Sequence, residues 1–249
     1  MNAHVTAPGL VVLDDAATVA ADVANRIVAE LLSRPSTVLG LATGETMRPV
    51  YGELVAAYRA GRVSFAGSTS FNLDDYVGVP PQHPASFPRF MNETLFEEVD
   101  ADRARTFMPD GNAFDLAREA AAYEAAIAAA GGIDLQLLGI GSNGHIAFNE
   151  PGSDFTSRTR QVALAASTQE ANQGPFDGSE TVPEFGITMG IGTILEARRI
   201  ILIATGAGKA AAVARAVKGP LDPACPASIL RTHRAAIMIC DRAAAAGLS

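Results

Sequence analysis

The chain has 249 residues, 48% hydrophobic and 18% charged, with a formal net charge of −8. This length buries a full core, as one large α/β domain or two small ones, and the composition excludes an intrinsically disordered chain. The acidic balance argues against a nucleic-acid partner, which needs a basic stripe, and no apolar run approaches the roughly 18 residues of a membrane span.

In chain order, the first clear period is Val19, Val23, Ile27 and Leu31, one face of a helix that Pro35 stops. Residues 37–41 are a short apolar strand, and residues 46–62 a helix. A strand over 69–73 and a helix over 86–99 follow. Leu116, Ala120, Tyr123 and Ile127 mark a long helix closed by Gly131 and Gly132. Residues 135–140 form a strand. Residues 199–204, almost all β-branched or apolar, form another, with a helix over 208–217 and a last strand over 235–240. Apolar strands alternating with helices predict a single α/β domain over 1–249, a mostly parallel, doubly wound sheet with helices on both faces. The loosest stretch, 168–184, is polar and glycine-containing and is expected to act as a mobile lid. The N-terminal residues lack a basic segment followed by an apolar one, so no signal peptide is expected. Cys225 and Cys240 have no metal-ligand spacing and read as reduced thiols of a cytoplasmic protein.

In such a sheet, ligands bind beyond the carboxyl ends of the strands. Four strands end in polar or glycine-rich turns: Ala42-Thr43-Gly44-Glu45-Thr46, Asn72-Leu73-Asp74-Asp75-Tyr76, residues 141–150 after Gly139, and Thr205-Gly206-Ala207-Gly208-Lys209. The first and last lead into helices, so each offers free N–H groups to an anion, and Lys209 adds a charge. Neither matches a P-loop or a dinucleotide fingerprint, and a plain strand-to-helix turn reads equally well. Of Asp74 and Asp75, at most one faces the crevice, because adjacent side chains diverge; the alternative is capping or solvation. In Gly141-Ser142-Asn143-Gly144-His145 the glycines allow a sharp turn, which delivers one imidazole and, five residues on, the carboxylate of Glu150. A histidine oriented by a carboxylate is a general acid/base pair.

Residues Ser70-Phe71-Asn72-Leu73-Asp74-Asp75-Tyr76-Val77-Gly78, with His83-Pro84 and Ser86-Phe87, resemble the glucosamine-6-phosphate deaminase family. So do residues 139–151, Ser157-Arg158-Thr159-Arg160 and residues 187–194. The resemblance covers nearly the whole chain in order. It implies a cofactor-free, metal-free, isomerising and ammonia-releasing hydrolase acting on an amino sugar phosphate, glucosamine 6-phosphate, to give fructose 6-phosphate. It assigns ring opening to His145, its orientation to Glu150 with Asn143 beside it, and the C2-to-C1 proton transfer to Asp74. Ala42, Thr43, Gly44, Glu45, Thr46, Asp75, Gly139 and Lys209 would bind the substrate.

This sequence departs from the family pattern at several places. Asn143 stands where some members have aspartate. Glu45 stands where the phosphate loop usually has Gly or Ser, and Gly174 where a phosphate-binding arginine is expected. If Glu45 faced inward it would repel a phosphate, and an unphosphorylated or different amino sugar would be the substrate. If it faces outward, Arg48 or a residue of the expected lid could replace the missing charge. Ser153 and Arg160 match part of an effector pocket, but Val162 replaces a lysine there and the sequence stops at Ser249, so no activation by N-acetylglucosamine 6-phosphate is expected. The short C-terminus leans toward a monomer or homodimer. A sugar lactonase, for which Asp74 would be dispensable, and a non-catalytic sugar-phosphate sensor are the competing readings.

Overall fold

The apolar runs of the sequence become the middle of one twisted sheet. The computed structural model describes residues 9–176 and 180–248; residues 177–179 of the expected lid lie outside the described residues. In chain order the elements are β1 Gly9–Leu13, α1 Ala16–Ser33, β2 Val38–Leu41, α2 Met47–Arg59, β3 Thr69–Asn72, β4 Asp74–Tyr76, α3 Phe87–Met91, β5 Thr106–Phe107 and α4 Leu116–Ala129. Then come β6 Leu135–Gly139, β7 Arg160–Ala163, α5 Ala166–Ala171, β8 Phe185–Thr188, α6 Ile191–Leu195, β9 Arg199–Ala204, α7 Ala210–Lys218 and β10 Ala236–Asp241.

Among the described residues seven strands form the main sheet in the order β1-β10-β9-β6-β2-β3-β5, and every pairing in it is parallel. All of β2 is buried, and β6 and β9 each have a single residue that is not. Such strands are covered on both faces, which is why their sequences run apolar without alternation. From β2 the chain steps outward through β3 to β5; from β6 it steps the other way through β9 to β10. The order therefore reverses between β2 and β6, the place where a doubly wound sheet opens a crevice.

The helices obey local signals. The Asp15 carboxylate caps α1 by accepting from the Thr18 amide at 2.8 Å, and Val19, Val23, Ile27 and Leu31 are all buried against the sheet. Gly131 and Gly132 take positive φ values of 86° and 82° just past α4, the left-handed stop their sequence predicts. One expectation needs correction. The helix expected over 86–99 ends as an α-helix at Met91 and continues as one π turn, Asn92–Phe96. Burial of Leu95 and Phe96 keeps the apolar pattern going while the backbone bonds slip by one residue. The first residues of the stretch 168–184 belong to α5, which ends at Ala171.

A second sheet was not expected. It is antiparallel, in the order β4-β8-β7, and it pairs Asp74 with Thr188 and Asp75 with Ile187. Residues read as a turn after β3 are thus a strand that leaves the main sheet at Asp74. Among the described residues no helix is long and apolar enough to cross a membrane.

Candidate active site

A cavity of about 380 Å³ opens beyond the carboxyl ends of β2 and β6. Its walls include Ala42, Thr43, Gly44, Glu45 and Thr46 from the loop after β2, Asp74 from β4, Gly139 and His145 from β6 and the loop after it, and Lys209 before α7. The parallel sheet brings these together from segments far apart in sequence. Asp75, Asn143 and Glu150 do not line the cavity, for different reasons.

The loop after β6 is built to present one imidazole. A Cβ on Gly141 would lie 2.4 Å from the His145 ring, so only glycine lets the ring lie over the backbone there. Gly144 has φ 93° and packs against Cys225. Asn143 accepts from the His145 amide at 3.0 Å and donates to Glu150 Oε2 at 2.8 Å. It therefore holds the main chain of His145 and the carboxylate, not the ring. Glu150 Oε2 lies 3.4 Å from His145 Nδ1, behind the ring as seen from the cavity. Burial would raise the Glu150 carboxyl, but hydrogen bonds from His145, Thr168 and Asn143, with the charge His145 carries when protonated, hold it down at about 2. Glu150 is a carboxylate throughout the neutral range and stabilises positive charge on the imidazole. Gly141→Ala should push the ring aside, lowering kcat/KM about a hundredfold while leaving Tm nearly unchanged, since the ring can swing into the cavity. Thermal unfolding and initial rates on the purified variant check this.

Asp74 faces the cavity at 5% exposure. Burial first, then the charge of Asp75, raises its carboxyl, and the Phe148 amide pulls the other way, leaving it pushed up to about 8. That amide is shared, because it also donates to Thr188 Oγ1 at 3.1 Å. It is aimed by Ala147, a non-glycine residue held at φ 50°, a conformation that persists only where the surroundings enforce it. Asp75 is a correction to its expected place among the substrate-binding groups. Its carboxyl accepts from the main-chain amides of Tyr76 at 2.8 Å and Phe87 at 3.4 Å, and the pleat of β4 turns it away from the cavity.

At the other end, the Glu45 side chain is exposed and its carboxylate is 2.8 Å from Arg48 Nε, one turn along. The loop amides are therefore left without a facing carboxylate. Arg48 lies over the ring of Phe90, 4.6 Å from its centroid, and is not on the cavity wall, so it does not replace the missing arginine. Gly174 does not line the cavity either. The Gly206 amide is already taken by Asp241, at 2.9 and 3.1 Å, so the loop before α7 contributes Lys209 rather than a full cup of amides. Among the described residues Lys209 has no carboxylate partner, and burial lowers its amine.

Sequence reading pointed to residues 168–184 as a lid but singled out none of the side chains there that line the cavity. Ser167, Thr168, Ala171 and Asn172, on and just after α5, face the cavity together with Phe87 and Phe148. A lone Ser or Thr in a polar stretch carries no signal of its own. Only the position of α5 reveals these residues.

Residues 14–239 match the family described as glucosamine-6-phosphate isomerases/6-phosphogluconolactonase. The chain is 51% identical over 240 residues to a glucosamine-6-phosphate deaminase of Cellvibrio japonicus, covering 96% of this chain and 91% of that one. It is 52% identical over 240 residues to one of Shewanella loihica, covering 96% and 90%. Among solved structures, a monomeric glucosamine-6-phosphate deaminase superposes with a TM-score of 0.94 at 38% identity, over 96% of this chain and 99% of that one. A 6-phosphogluconolactonase from Trypanosoma cruzi, 21% identical with a TM-score of 0.75 over 97% of each chain, shares the fold.

Proposed function

The chain belongs to the glucosamine-6-phosphate isomerase/6-phosphogluconolactonase family, and from that premise we infer that its cleft converts glucosamine 6-phosphate and water to fructose 6-phosphate and ammonia. The observation that carries this is a buried carboxylate, Asp74, and an imidazole backed by a carboxylate, His145 with Glu150, facing one cavity that ends at Lys209. A sugar lactonase needs no base aimed at a carbon, and a sensor needs neither group. The outward Glu45, paired with Arg48, removes the reason to favour an unphosphorylated sugar.

The phosphate sits at the loop after β2, held by its amides and hydroxyls and by Lys209. His145 moves a proton between O1 and O5 as the pyranose opens, and Glu150 stabilises the ring while it is charged. Asp74 takes the proton from C2 of the open aldehyde. The ammonium gives a proton to O1, and an enolamine forms. Asp74 returns its proton to C1, leaving a protonated imine at C2. Water adds at C2 and ammonia leaves, so the net reaction is an isomerisation ending in deamination. A carboxyl raised toward neutrality suits this task, since a base poised near the working pH both accepts and returns a proton.

We propose a monomer, as the solved relative is, and a reducing, cytoplasmic setting, on the strength of the buried free thiols Cys225 and Cys240. The test of the function is to follow ammonia and ketose together during incubation with glucosamine 6-phosphate. Equal yields are expected; ammonia without ketose, or acid release from 6-phosphogluconolactone in its place, contradicts the reading.

A further inference from the structure

Among the described residues two side chains reach Nδ1 of His145, and only one comes from its own loop. Glu150 Oε2 lies at 3.4 Å. The other is Thr168, whose Oγ1 is 3.3 Å from the same nitrogen and whose side chain helps to hold the Glu150 carboxyl low. Thr168 is 3% exposed and sits on α5, whose Ser167 and Ala171 wall the cavity. The chain just before α5 is fastened to the same carboxylate, the Ala165 amide donating to Glu150 Oε1 at 3.3 Å.

The ionised carboxylate biases the proton inventory at this junction. An ionised carboxylate only accepts, and a hydroxyl has one proton to donate. With that proton turned toward the Glu150 carboxylate, the Thr168 oxygen is left to accept from the imidazole nitrogen 3.3 Å away. Its acceptor role requires a proton on Nδ1, which leaves Nε2 of the neutral ring bare and free to face the sugar. With an apolar side chain at this position, Glu150 alone would meet the ring edge, at a longer distance and with nothing to fix the ring's angle.

We propose that Thr168 is a positioning residue for ring opening. Its hydroxyl, carried on a helix of the cavity wall, locks His145 in the tautomer with Nε2 bare. The His145–Glu150 pair is thus complete only with α5 docked against it, so the cavity wall also sets the acid/base group. The part in ring opening rests on the deaminase reading above; the tautomer does not.

The experiment compares wild type, Thr168→Val and Thr168→Ser. Imidazole nitrogens of ¹⁵N-labelled protein are read by NMR at a pH where the ring is neutral. The chain has four histidines, and His145→Gln identifies the signal. The wild type should show Nδ1 protonated and Nε2 bare, and Thr168→Val a mixture of tautomers. On glucosamine 6-phosphate, kcat of Thr168→Val should fall about tenfold to a hundredfold with KM near wild type, and serine should restore both readouts. An unchanged imidazole spectrum in Thr168→Val, a kcat within about twofold of wild type, or no rescue by serine overturns the proposal. Absence of ammonia release by the wild type would sink the deaminase reading instead, with the spectra still deciding the tautomer.

Discussion

Replacing Asp74 with asparagine lowers turnover by about a thousandfold or more and at the same time makes the folded chain more stable. Both effects have one cause. Burial, then the neighbouring charge of Asp75, pushes the Asp74 carboxyl from 3.8 up to about 8. A group that holds its proton more tightly folded than unfolded adds stability below its unfolded value and loses it as pH rises through its folded value. For Asp74 that loss runs from about pH 4 to about pH 8. An amide does not titrate, so the variant escapes it. The gain at neutral pH is on the order of 1–3 kcal/mol, roughly 2–10 °C in Tm for a chain of this size, and it should vanish near pH 4. Thermal unfolding of the two proteins across pH checks this, and equal Tm values at every pH would contradict it. The wild-type rate carries the same signature. Only the ionised carboxylate takes the C2 proton, so kcat/KM should climb with pH, reach half its limit around pH 8 and level off above that. Asp75→Asn should move that limb to lower pH by removing the neighbouring charge.

Removing the Lys209 amine raises KM for glucosamine 6-phosphate about a hundredfold, with a smaller change in kcat. Lys209 is the one Lys or Arg side chain on the cavity wall among the described residues. Arg48 is committed to Glu45 and Phe90, and Gly174 has no side chain to offer. A charge-assisted hydrogen bond to a phosphate in a half-buried site contributes about 1.5–3 kcal/mol, up to about two decades in affinity. Because this contact is far from C1 and C2, its loss should affect substrate binding more than the chemical step. The same variant should lose its preference for the phosphorylated sugar by a similar factor. Steady-state kinetics of Lys209→Ala on both sugars is the check, and an unchanged KM would mean that the amides and hydroxyls of residues 43–46 hold the phosphate alone.

What was legible in the sequence follows from the range of each signal. The buried face of α1 and the glycine stop of α4 are local patterns, readable without tertiary structure. The cleft was legible for a different reason. In a parallel sheet every carboxyl end lies on one rim, so four polar turns had to converge in part. The direction of Asp75 was not legible, because it depends on β4, three residues with no period of their own, pairing with β8 more than a hundred residues away. Glu45 was ambiguous because an inward carboxylate and a pair with Arg48 on the next turn are equally consistent with the sequence. Thr168 was invisible, since its role exists only through a contact with His145 across a separation of 23 residues.

The most direct measurement is ammonia release from glucosamine 6-phosphate and from free glucosamine, side by side, with Asp74→Asn as the control. Fast release from the phosphate ester, almost none from the free sugar and none from the variant is the predicted result. Release from free glucosamine at a comparable kcat/KM would contradict the assignment of Lys209 and the 43–46 loop to a phosphate, and undiminished release by Asp74→Asn would contradict the assignment of the C2 proton to Asp74.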